Sequence, residues 1–467
     1  MQFNKVDQQL IDSFISICGV ENVLTDIDNL HKYGHDETED IVKPPEVILK
    51  PINTEQVSEI VKLCFENNIA ITPRGAGTGL SGGAIPVFGG VCLSTEKLNR
   101  ILKIDEENFQ VTTEPGVITQ VLQEAVADKK MYYPPDPASR GSCFIGGNIA
   151  ENSGGPRAVK YGVVKDYVLN LEMVLPNGEI IWTGANVLKN ATGYNLTQLI
   201  VGSEGTLGIV TKIVLKLIPL PTKNKLMLVP FTSAEKACEA VAAIFKKGVT
   251  PSGLEFMERD ALEWTINHIG DSSIKLEDSV KAHLLIEVDG NHDEILMQEC
   301  EQIMEVCEQY DCLDILFAES EQEKETLWKL RRRVGEAVKA NSIYKEEDTV
   351  VPRAELPKLL RGVKQIGNKF GFKSVCYGHA GDGNLHVNII KGCMTDDAWN
   401  NELSKGIREI FELCKSLGGT ISGEHGIGLV QKNYLDIVFN ETQMGLMRQI
   451  KEVFDAKGIM NPGKVFD

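Results

Sequence analysis

The sequence predicts an α+β protein with more than one domain, and three observations carry this prediction. The chain has 467 residues, of which 42% are hydrophobic, so it can form two or three separate cores. Its first half alternates short apolar segments with glycine-rich loops, and its second half alternates strands with long amphipathic helices. The strand–helix–strand–strand order of the second half favours an antiparallel sheet covered by helices on one side.

The elements of the first half follow from local spacing. In residues 54–67 apolar side chains recur at helical intervals, Asn53 can cap the first turn, and Gln56 stands three residues after the cap. Residues 69–73 are short and apolar, as in a strand, and lead into a glycine-dense loop. The Pro-Leu-Pro of residues 219–221 indicates a domain boundary.

The second half has a different rhythm. It is predicted to contain strands at 226–230 and 283–288 and helices at 234–247, 293–309 and 321–340. The last fifty residues are again rich in glycine.

The charge of the chain argues against nucleic acid as a partner. There are 66 acidic and 48 basic residues, giving a formal net charge of -18, which would repel a phosphate backbone. The richest basic run, residues 329–333, lies among glutamates. We therefore expect no nucleic-acid binding.

The sequence gives little indication of a targeting signal or of a site built from cysteines. Residues 1–20 lack a cleavable apolar region, and no apolar run approaches the length of a membrane span. The eleven cysteines are scattered without a Cys-x-x-Cys pair, so we expect them to be reduced. The alternative is that Cys300, Cys307 and Cys312, which lie close together in the sequence, bind a metal ion. The chain is predicted to be cytoplasmic, without a transmembrane segment, disulfide, iron–sulfur cluster or structural zinc.

The first chemical motif is PRGAGTGLSGGA, residues 73–84. It contains a literal G-x-G-x-x-G, but a Rossmann fingerprint must open a helix, and this loop continues into Ile85-Pro86-Val87, which cannot be helical. Glycines nevertheless let successive backbone N–H groups approach an anion, which suits a phosphate. The alternative interpretation is a mobile surface loop.

Two further loops, residues 134–162 and 192–208, combine small residues with rigid prolines or glycine turns. Three such loops in one domain indicate a long ligand lying extended against backbone. A flavin dinucleotide has that shape.

Specific motifs in these loops match a known family. Pro73–Gly83, Pro134–Ser139 with Ile145–Gly147, and Gly202–Gly208 resemble the FAD-binding half of flavoprotein dehydrogenases with the vanillyl-alcohol oxidase / p-cresol methylhydroxylase fold. The C-terminal motifs resemble the branch of FAD-linked 2-hydroxyacid dehydrogenases, which contains D-lactate dehydrogenase, the glycolate oxidase flavoprotein subunit and D-2-hydroxyglutarate dehydrogenase. The resemblance covers essentially the whole chain.

This resemblance implies three parts. Residues 1–221 would form an FAD-binding domain, residues 222–415 an α+β substrate (cap) domain with an antiparallel sheet, and residues 416–467 a C-terminal segment that packs back on the FAD-binding domain. No histidine lies in the first glycine loop, so FAD is expected to be bound non-covalently. The residues that the resemblance assigns to FAD are Arg74, Gly75, Ala76, Gly77, Thr78, Gly79, Ser81, Gly82, Pro137, Ser139, Gly146, Gly147, Ser153, Gly154, Glu204 and Ile209.

One position in the third loop departs from the family. The chain has Asn195 after Gly-Tyr, where the family more often has Asp.

A second kind of motif is YGHAGDGNLHVN, residues 377–388. Its histidines, His379 and His386, are seven residues apart, but three intervening glycines disfavour a helix and an odd separation disfavours one straight strand. A strand–turn–strand remains, in which both rings converge. They could form a metal site with Glu424, or be histidines satisfied by other partners.

The resemblance favours the metal, since the same branch is expected to bind a divalent ion (Zn, Mn or Fe) through residues matching His379, His386 and Glu424. His425, next to Glu424, is then the candidate base, although it could also be a structural histidine in a turn. Asn388 would contact the substrate or the ligand shell.

The substrate carboxylate also needs a cation. Arg331 matches the family's substrate arginine, and a guanidinium suits a planar carboxylate. The alternative is a solvated basic turn on an amphipathic helix, which is expected for at least one of the three arginines 331–333, and Lys345 is a weaker addition. The resemblance implies a threonine four residues after that arginine in relatives that act on dicarboxylates, whereas this chain has Gly335. This difference favours a monocarboxylate.

The sequence thus predicts an FAD- and metal-dependent dehydrogenase that oxidises a small 2-hydroxy acid, preferably D-lactate to pyruvate, by hydride transfer to flavin. With neither an iron–sulfur motif nor an NAD fingerprint, it is expected to pass electrons to a protein partner. Alternatives are the catalytic subunit of an electron-bifurcating lactate dehydrogenase complex with an electron-transferring flavoprotein, a glycolate oxidase subunit, or a metallohydrolase without flavin.

Overall fold

The computed structural model describes residues 2–38, 41–270 and 276–466. The chain folds into two compact units. The first unit comprises Met1–Gly154, Val163–Leu220 and Glu424–Asp467, and the second comprises Gly155–Gly162 and Pro221–Gly423.

The units differ from the predicted domain boundaries in two segments. Residues 155–162 belong to the second unit, where Arg157 pairs with Glu287 and Lys160 pairs with Asp289. Residues 416–423 also remain with the second unit. Both differences come from side-chain and backbone pairing over long sequence separations, which local composition does not encode.

The helices are distributed along the whole chain, and no helix in the described ranges is long and apolar enough to span a membrane. Their bounds are α1 (Gln8–Cys18), α2 (Ile27–Lys32), α3 (Thr54–Asn67), α4 (Thr119–Ala127), α5 (Ile145–Glu151), α6 (Ala158–Tyr161), α7 (Leu196–Ile200), α8 (Ala234–Lys246), α9 (Arg259–Ile269), α10 (Asp293–Glu308), α11 (Glu321–Arg332), α12 (Val334–Asn341), α13 (Leu356–Phe370), α14 (Leu403–Ser416), α15 (Leu435–Val438) and α16 (Glu441–Phe454).

The strands form four sheets. Their bounds are β1 (Val23–Leu24), β2 (Val47–Leu49), β3 (Ile71–Arg74), β4 (Val91–Ser94), β5 (Ile101–Asp105), β6 (Gln110–Thr113), β7 (Met131–Tyr132), β8 (Val168–Val174), β9 (Ile180–Trp182), β10 (Ile209–Lys216), β11 (Ile218–Pro219), β12 (Lys223–Phe231), β13 (Gly253–Glu258), β14 (Ala282–Gly290), β15 (Leu316–Phe317), β16 (Tyr344–Val350), β17 (Lys373–Gly378) and β18 (Asn384–Ile390).

The first unit contains three of these sheets. A four-stranded sheet has the order β1-β2-β4-β3, with β4 parallel to both β2 and β3. A five-stranded antiparallel sheet has the order β5-β6-β10-β8-β9, and β7 pairs with β11. The helix predicted at 54–67 is confirmed as α3, with Asn53 Oδ1 accepting from the Gln56 N–H at 2.8 Å.

The second unit is built on one antiparallel sheet of seven strands, in the order β15-β12-β14-β13-β17-β18-β16. The prediction that helices cover only one side is wrong. Successive residues of β13 and β14 are buried on both faces. Burial is continuous along both strands and includes the charged residues Glu255 and Glu287, so both faces of the sheet are covered here.

The predicted helix at 321–340 is also corrected. It is two helices, α11 and α12, which meet at Arg333 (φ -93, ψ 2). Gly335 lies in the first turn of α12, where its lack of a side chain lowers helix stability. The break gives the arginines of residues 331–333 different surroundings.

Candidate active site

The turn between β17 and β18 has the predicted strand–turn–strand form. Tyr377 pairs with His386 in the antiparallel register, and a single 3-10 turn at Ala380–Asp382 reverses the chain. Gly383 completes the reversal with φ +80, a conformation that L side chains rarely adopt. The structure therefore confirms how this motif folds.

The turn brings both histidine rings together. The centroids of His379 and His386 are 5.6 Å apart with an interplanar angle of 79°. The two residues are nearly inaccessible, with relative exposures of 5% and 4%. Two imidazoles that are buried this closely need polar partners.

The partners of His386 come from the neighbouring strand β16. In the ladder Glu346 pairs with Asn388 and Asp348 pairs with His386, so their side chains share one face of the sheet. The Nδ1 atom of His386 lies 3.3 Å from Glu346 Oε1 and 3.9 Å from Asp348 Oδ1. Asn388 is fully buried on the same face.

The partner of His379 is Glu255 on β13. His379 Nδ1 lies 2.9 and 2.8 Å from the two carboxylate oxygens of Glu255. Arg331 Nη2 lies 2.7 Å from Glu255 Oε2. One buried carboxylate therefore joins the predicted metal ligand to the predicted substrate arginine, and the sequence analysis missed this residue.

The three adjacent arginines, residues 331–333, have different surroundings. Arg331 is buried, stacks over the Tyr377 ring at 5.1 Å, and its Nε atom has no hydrogen-bond partner within the described ranges. Arg332 lies over the Trp328 ring, and Arg333 is exposed and pairs with Glu336. Only Arg331 has a buried donor atom left over for a ligand.

The buried surroundings of Tyr377 raise the pKa of its phenol. Burial raises the pKa of its phenol well above the ordinary value, and the charge of Glu346 raises it further, against the smaller opposite effect of Arg331. The hydroxyl lies 3.3 Å from Glu346 Oε1. Tyr377 is therefore a neutral hydrogen-bonding group at physiological pH.

Lys345 does not join this group. Strand alternation places it on the opposite face from Glu346, where its ammonium lies 5.8 Å from the centre of the Trp399 ring. The structure therefore removes Lys345 from the candidate site.

Asp348 hydrogen-bonds to the last residues of the second unit. Its carboxylate accepts from Asn384 Nδ2 at 2.7 Å, from Ser422 Oγ at 3.0 Å and from the Gly423 N–H at 2.8 Å. Glu424 follows Gly423 directly in the chain. The peptide before the predicted ligand Glu424 is thus anchored to the residue that pairs with His386.

The first unit carries the predicted FAD residues, and the glycine loop begins where β3 ends. The Arg74 guanidinium is turned back beneath this loop, donating from Nη1 to the His35 carbonyl at 2.7 Å and stacking over Tyr33. Gly77 has φ +76, and a Cβ there would overlap the Arg74 guanidinium. Arg74 therefore supports the loop from below.

The second glycine segment approaches the first. A Cβ on Gly75 would lie 3.7 Å from the Gly147 backbone nitrogen, whereas a Cβ on Gly147 would meet nothing within 4 Å. The Ser81 hydroxyl is buried with no hydrogen-bond partner in the described part of the chain. Open backbone and an unsatisfied hydroxyl in the same unit fit an elongated cofactor with phosphate oxygens.

The C-terminal segment of the first unit packs against residues assigned to FAD. The Glu204 carboxylate accepts from the N–H groups of Ile427 and Gly428 at 2.8 and 2.7 Å. A Cβ on Gly154 would lie 2.8 Å from Glu424 Oε2. Within the first unit, the predicted metal ligand therefore lies against a glycine assigned to FAD.

The other residues assigned to FAD lie in the same unit. Ala76, Thr78, Gly79 and Gly82 follow β3, Pro137 and Ser139 precede α5, Gly146 lies inside α5, Ser153 follows it, and Ile209 begins β10.

Two buried acids in this unit were missed. Burial raises the pKa of Glu151 well above its ordinary value, and the charges of Glu204 and Asp36 raise it further. Oxygens of both Glu151 and Asp36 are buried without a hydrogen-bond partner in the described ranges. Glu151 lies inside the Pro134–Gly162 loop, of which the sequence analysis used only the prolines, glycines and serines.

The chain matches two protein families. Residues 45–184 match an FAD binding domain, and residues 220–465 match the C-terminal domain of FAD linked oxidases. The glycolate oxidase subunit GlcD from Bacillus subtilis is 39% identical, covering 99% of this chain and 97% of its own length. A D-lactate dehydrogenase from Anaerostipes hadrus is 38% identical, covering 99% and 98%.

Among solved structures, p-cresol methylhydroxylase with substrate bound matches with a TM-score of 0.78 at 20% identity, covering 99% of this chain and 98% of that chain. The predicted fold class is confirmed: the protein is an α+β flavoprotein of the vanillyl-alcohol oxidase / p-cresol methylhydroxylase type. The chain belongs to the FAD-linked oxidase family that contains the glycolate oxidase subunit and the D-lactate dehydrogenase, which confirms the resemblance. It is an FAD-dependent oxidoreductase.

Proposed function

We propose that this chain is an FAD- and divalent-metal-dependent dehydrogenase that oxidises a small 2-hydroxy acid, with D-lactate as the preferred substrate and pyruvate as the product. The observation that carries the proposal is the buried group of His379, His386, Arg331 and Glu255 in the second unit. It combines metal-binding imidazoles with a guanidinium that has a donor atom available.

FAD is proposed to bind non-covalently in the first unit. The backbone of residues 75–79 and Ser81 would hold the pyrophosphate, and residues 146–147 and 153–154 would approach the flavin and ribityl chain. The open side of Gly147 and the unsatisfied Ser81 hydroxyl support this assignment. When bound, FAD supplies the acceptor for the hydride that leaves C2 of the substrate.

The divalent ion (Zn, Mn or Fe) is proposed to be held by His379, His386 and Glu424. Glu255 on Nδ1 of His379 leaves Nε2 as the ligand atom, which is the usual arrangement of a metal-binding histidine. Asp348 holds Gly423, so the chain position of Glu424 is fixed from one side. When bound, the metal lowers the pKa of the substrate hydroxyl and holds its oxygen.

The remaining residues position the substrate and move a proton. Arg331 binds the carboxylate through Nε and Nη2, Asn388 hydrogen-bonds the substrate or the ligand shell, and His425 takes the hydroxyl proton on a ring nitrogen. Holding C2 in place contributes to rate because it removes the entropy cost of alignment.

The size of the substrate is proposed from Gly335. A Cβ at this position would lie 3.3 Å from the Tyr377 hydroxyl, so glycine provides no side-chain group for a second carboxylate here. A monocarboxylate fits this better than a dicarboxylate. The D-lactate dehydrogenase from Anaerostipes hadrus supports lactate, and the glycolate oxidase subunit supports glycolate as the second candidate.

We further propose that electrons leave to an acceptor protein. Oxidation of a 2-hydroxy acid releases two electrons, which bound FAD would have to pass on before the next turnover. An electron-transferring flavoprotein is one candidate acceptor, in which case the chain would be the catalytic subunit of an electron-bifurcating complex.

An anaerobic titration of the purified, metal-replete protein tests the proposal. The flavin absorption band is followed while D-lactate, L-lactate, glycolate and D-2-hydroxyglutarate are added separately. We expect bleaching by D-lactate that a chelator abolishes. Bleaching by glycolate alone would favour the second candidate, and a yellow protein that none of the four bleaches would contradict the proposed substrate class.

A further inference from the structure

We propose that Glu255 is a positioning residue that couples the metal-binding histidine to the substrate arginine, so that one carboxylate sets the geometry of both. This inference rests on the proposed function. Glu255 touches neither the proposed metal nor the substrate, and it acts through His379 and Arg331.

The cost of burying Glu255 argues for a specific role. It lies on the central strand β13, is completely inaccessible, and pairs with Leu285 in the ladder. Its chain neighbours Leu254 and Phe256 are also buried. A carboxylate in such surroundings is strongly destabilising unless opposite charges and hydrogen bonds compensate it.

Its two partners come from different elements. His379 follows β17 and reaches both carboxylate oxygens through Nδ1, at 2.9 and 2.8 Å. Arg331 belongs to α11 and reaches Oε2 through Nη2 at 2.7 Å. Glu255 is the residue that these two elements share.

Glu255 holds His379 in the tautomer, and Arg331 in the orientation, that their proposed roles require. With the Nδ1 proton pointing at the carboxylate, Nε2 of His379 carries the lone pair that a divalent ion requires. With Nη2 held by Glu255, the planar guanidinium has one orientation, and its buried Nε keeps a donor for a carboxylate. A change at Glu255 should therefore alter metal binding and substrate binding together.

A matched control exists on the adjacent strand β14. Glu287 is also almost completely buried and pairs with an arginine, Arg157. It also accepts from Trp328 Nε1 at 2.6 Å and from Asn224 Nδ2 at 3.3 Å. Glu287→Gln removes a buried carboxylate from the same sheet without touching a histidine. Any general effect of weakening the sheet appears in both variants.

The experiment compares FAD-loaded wild type, Glu255→Gln and Glu287→Gln after removal of bound metal. Mn²⁺ binding is measured from the electron paramagnetic resonance signal of the unbound ion, and KM and kcat for D-lactate are measured at saturating Mn²⁺. Glutamine is neutral and presents one acceptor oxygen and one amide NH₂ group, so it cannot compensate the charge of Arg331, and His379 loses one of its two acceptor oxygens. We expect Glu255→Gln to weaken Mn²⁺ binding by about 10- to 100-fold and to raise KM, and Glu287→Gln to change neither by more than about threefold. Glu255→Asp should recover part of the Mn²⁺ affinity.

Two other outcomes distinguish a failure of the coupling proposal from a failure of the metal proposal. If Glu255→Gln binds Mn²⁺ and D-lactate as tightly as wild type, at a thermal stability equal to that of Glu287→Gln, the coupling role is wrong and the metal proposal stands. If wild type itself does not bind Mn²⁺, the metal proposal is wrong and the role of Glu255 falls with it.

Discussion

The two compact units present their binding groups in different ways. In the first unit, the residues assigned to FAD are mostly glycines, and what they offer is open backbone, as at Gly147. In the second unit, strands β13, β16 and β18 hold buried side chains in a fixed register, as for His386 opposite Asp348. The first arrangement depends on where Cβ atoms are missing, and the second on which charged side chains meet.

This difference has an energetic consequence. A backbone surface loses affinity when any side chain is added, whatever its chemistry, because the added atoms occupy ligand space. A side-chain surface responds to chemistry, because removing one member of a buried charged group leaves its partner uncompensated. Substitutions in the first unit should therefore reduce FAD binding, and substitutions in the second unit should reduce substrate binding or turnover.

The largest effect is expected from His386→Ala in the second unit. Loss of a proposed metal ligand should remove several kcal/mol of transition-state stabilisation, or about a thousandfold in kcat/KM for D-lactate. FAD content should not change, since the glycine loops lie in the other unit. The measurement is steady-state activity with the flavin absorbance of the purified variant.

His283→Ala is the control for losing a buried histidine from the same sheet, because burial lowers the pKa of His283 to about 4 and keeps it neutral. If His386→Ala retains activity, as His283→Ala should, His386 is not a ligand that the reaction requires.

Arg331→Lys is expected to have the next largest effect. Lysine keeps the charge beside Glu255 but cannot bind a carboxylate through two parallel hydrogen bonds. We expect KM for D-lactate to rise about 30-fold, equivalent to about 2 kcal/mol, with a smaller change in kcat.

The matched variant is Arg333→Lys, which is exposed and pairs with Glu336, and it should leave KM unchanged. Equal effects of the two substitutions would show that the guanidinium of Arg331 is not the carboxylate clamp.

Two glycines of α5 sharpen the contrast within the first unit. A Cβ on Gly146 would lie 2.5 Å from Pro115 Cβ, whereas Gly147 faces open space. Gly146→Ala should destabilise the fold by about 1–3 kcal/mol through overpacking. Gly147→Ala should leave the apoprotein as stable, or slightly more stable, because alanine favours a helix, yet weaken FAD binding about tenfold.

Thermal unfolding of the two apoproteins and fluorescence titration with FAD measure these effects. Unchanged FAD affinity in Gly147→Ala would mean that the open side of Gly147 does not face the cofactor.

The last prediction concerns Glu151 and the pH dependence of stability. Its pKa in the folded chain is raised well above the ordinary value of 4.5, first by burial and then by Glu204 and Asp36. The folded state therefore binds this proton more tightly than the unfolded state, and stability decreases as pH rises from 4.5 towards the raised pKa, by about 1.4 kcal/mol per pH unit.

Glu151→Gln should flatten this part of the profile of unfolding free energy between pH 5 and 8, measured by urea titration. Parallel profiles for wild type and variant would contradict the raised pKa.

Several features could be predicted from short stretches of sequence. The cap at Asn53 and the apolar spacing after it were sufficient for α3, and the glycines around His379 and His386 were sufficient for the turn that joins β17 and β18. These features depend on residues within one or two turns of each other, so the sequence states them directly.

Other features required the register of the folded sheet. Lys345 and Glu346 are neighbours in the chain, yet only Glu346 shares a face with Asn388. Arg331 and Arg333 are the same residue type two positions apart, yet only Arg331 is buried against Glu255. Local composition could not distinguish the members of either pair.

The sequence by itself determined the class of the protein, the glycine loops and the histidine turn, because these are written in contiguous motifs. The tertiary structure alone decided which arginine is buried, which faces of the sheet are covered, and that Glu255 pairs with His379 across 124 residues. The physical reason is that burial and charge pairing are set by strand register and helix packing, which combine residues distant in sequence.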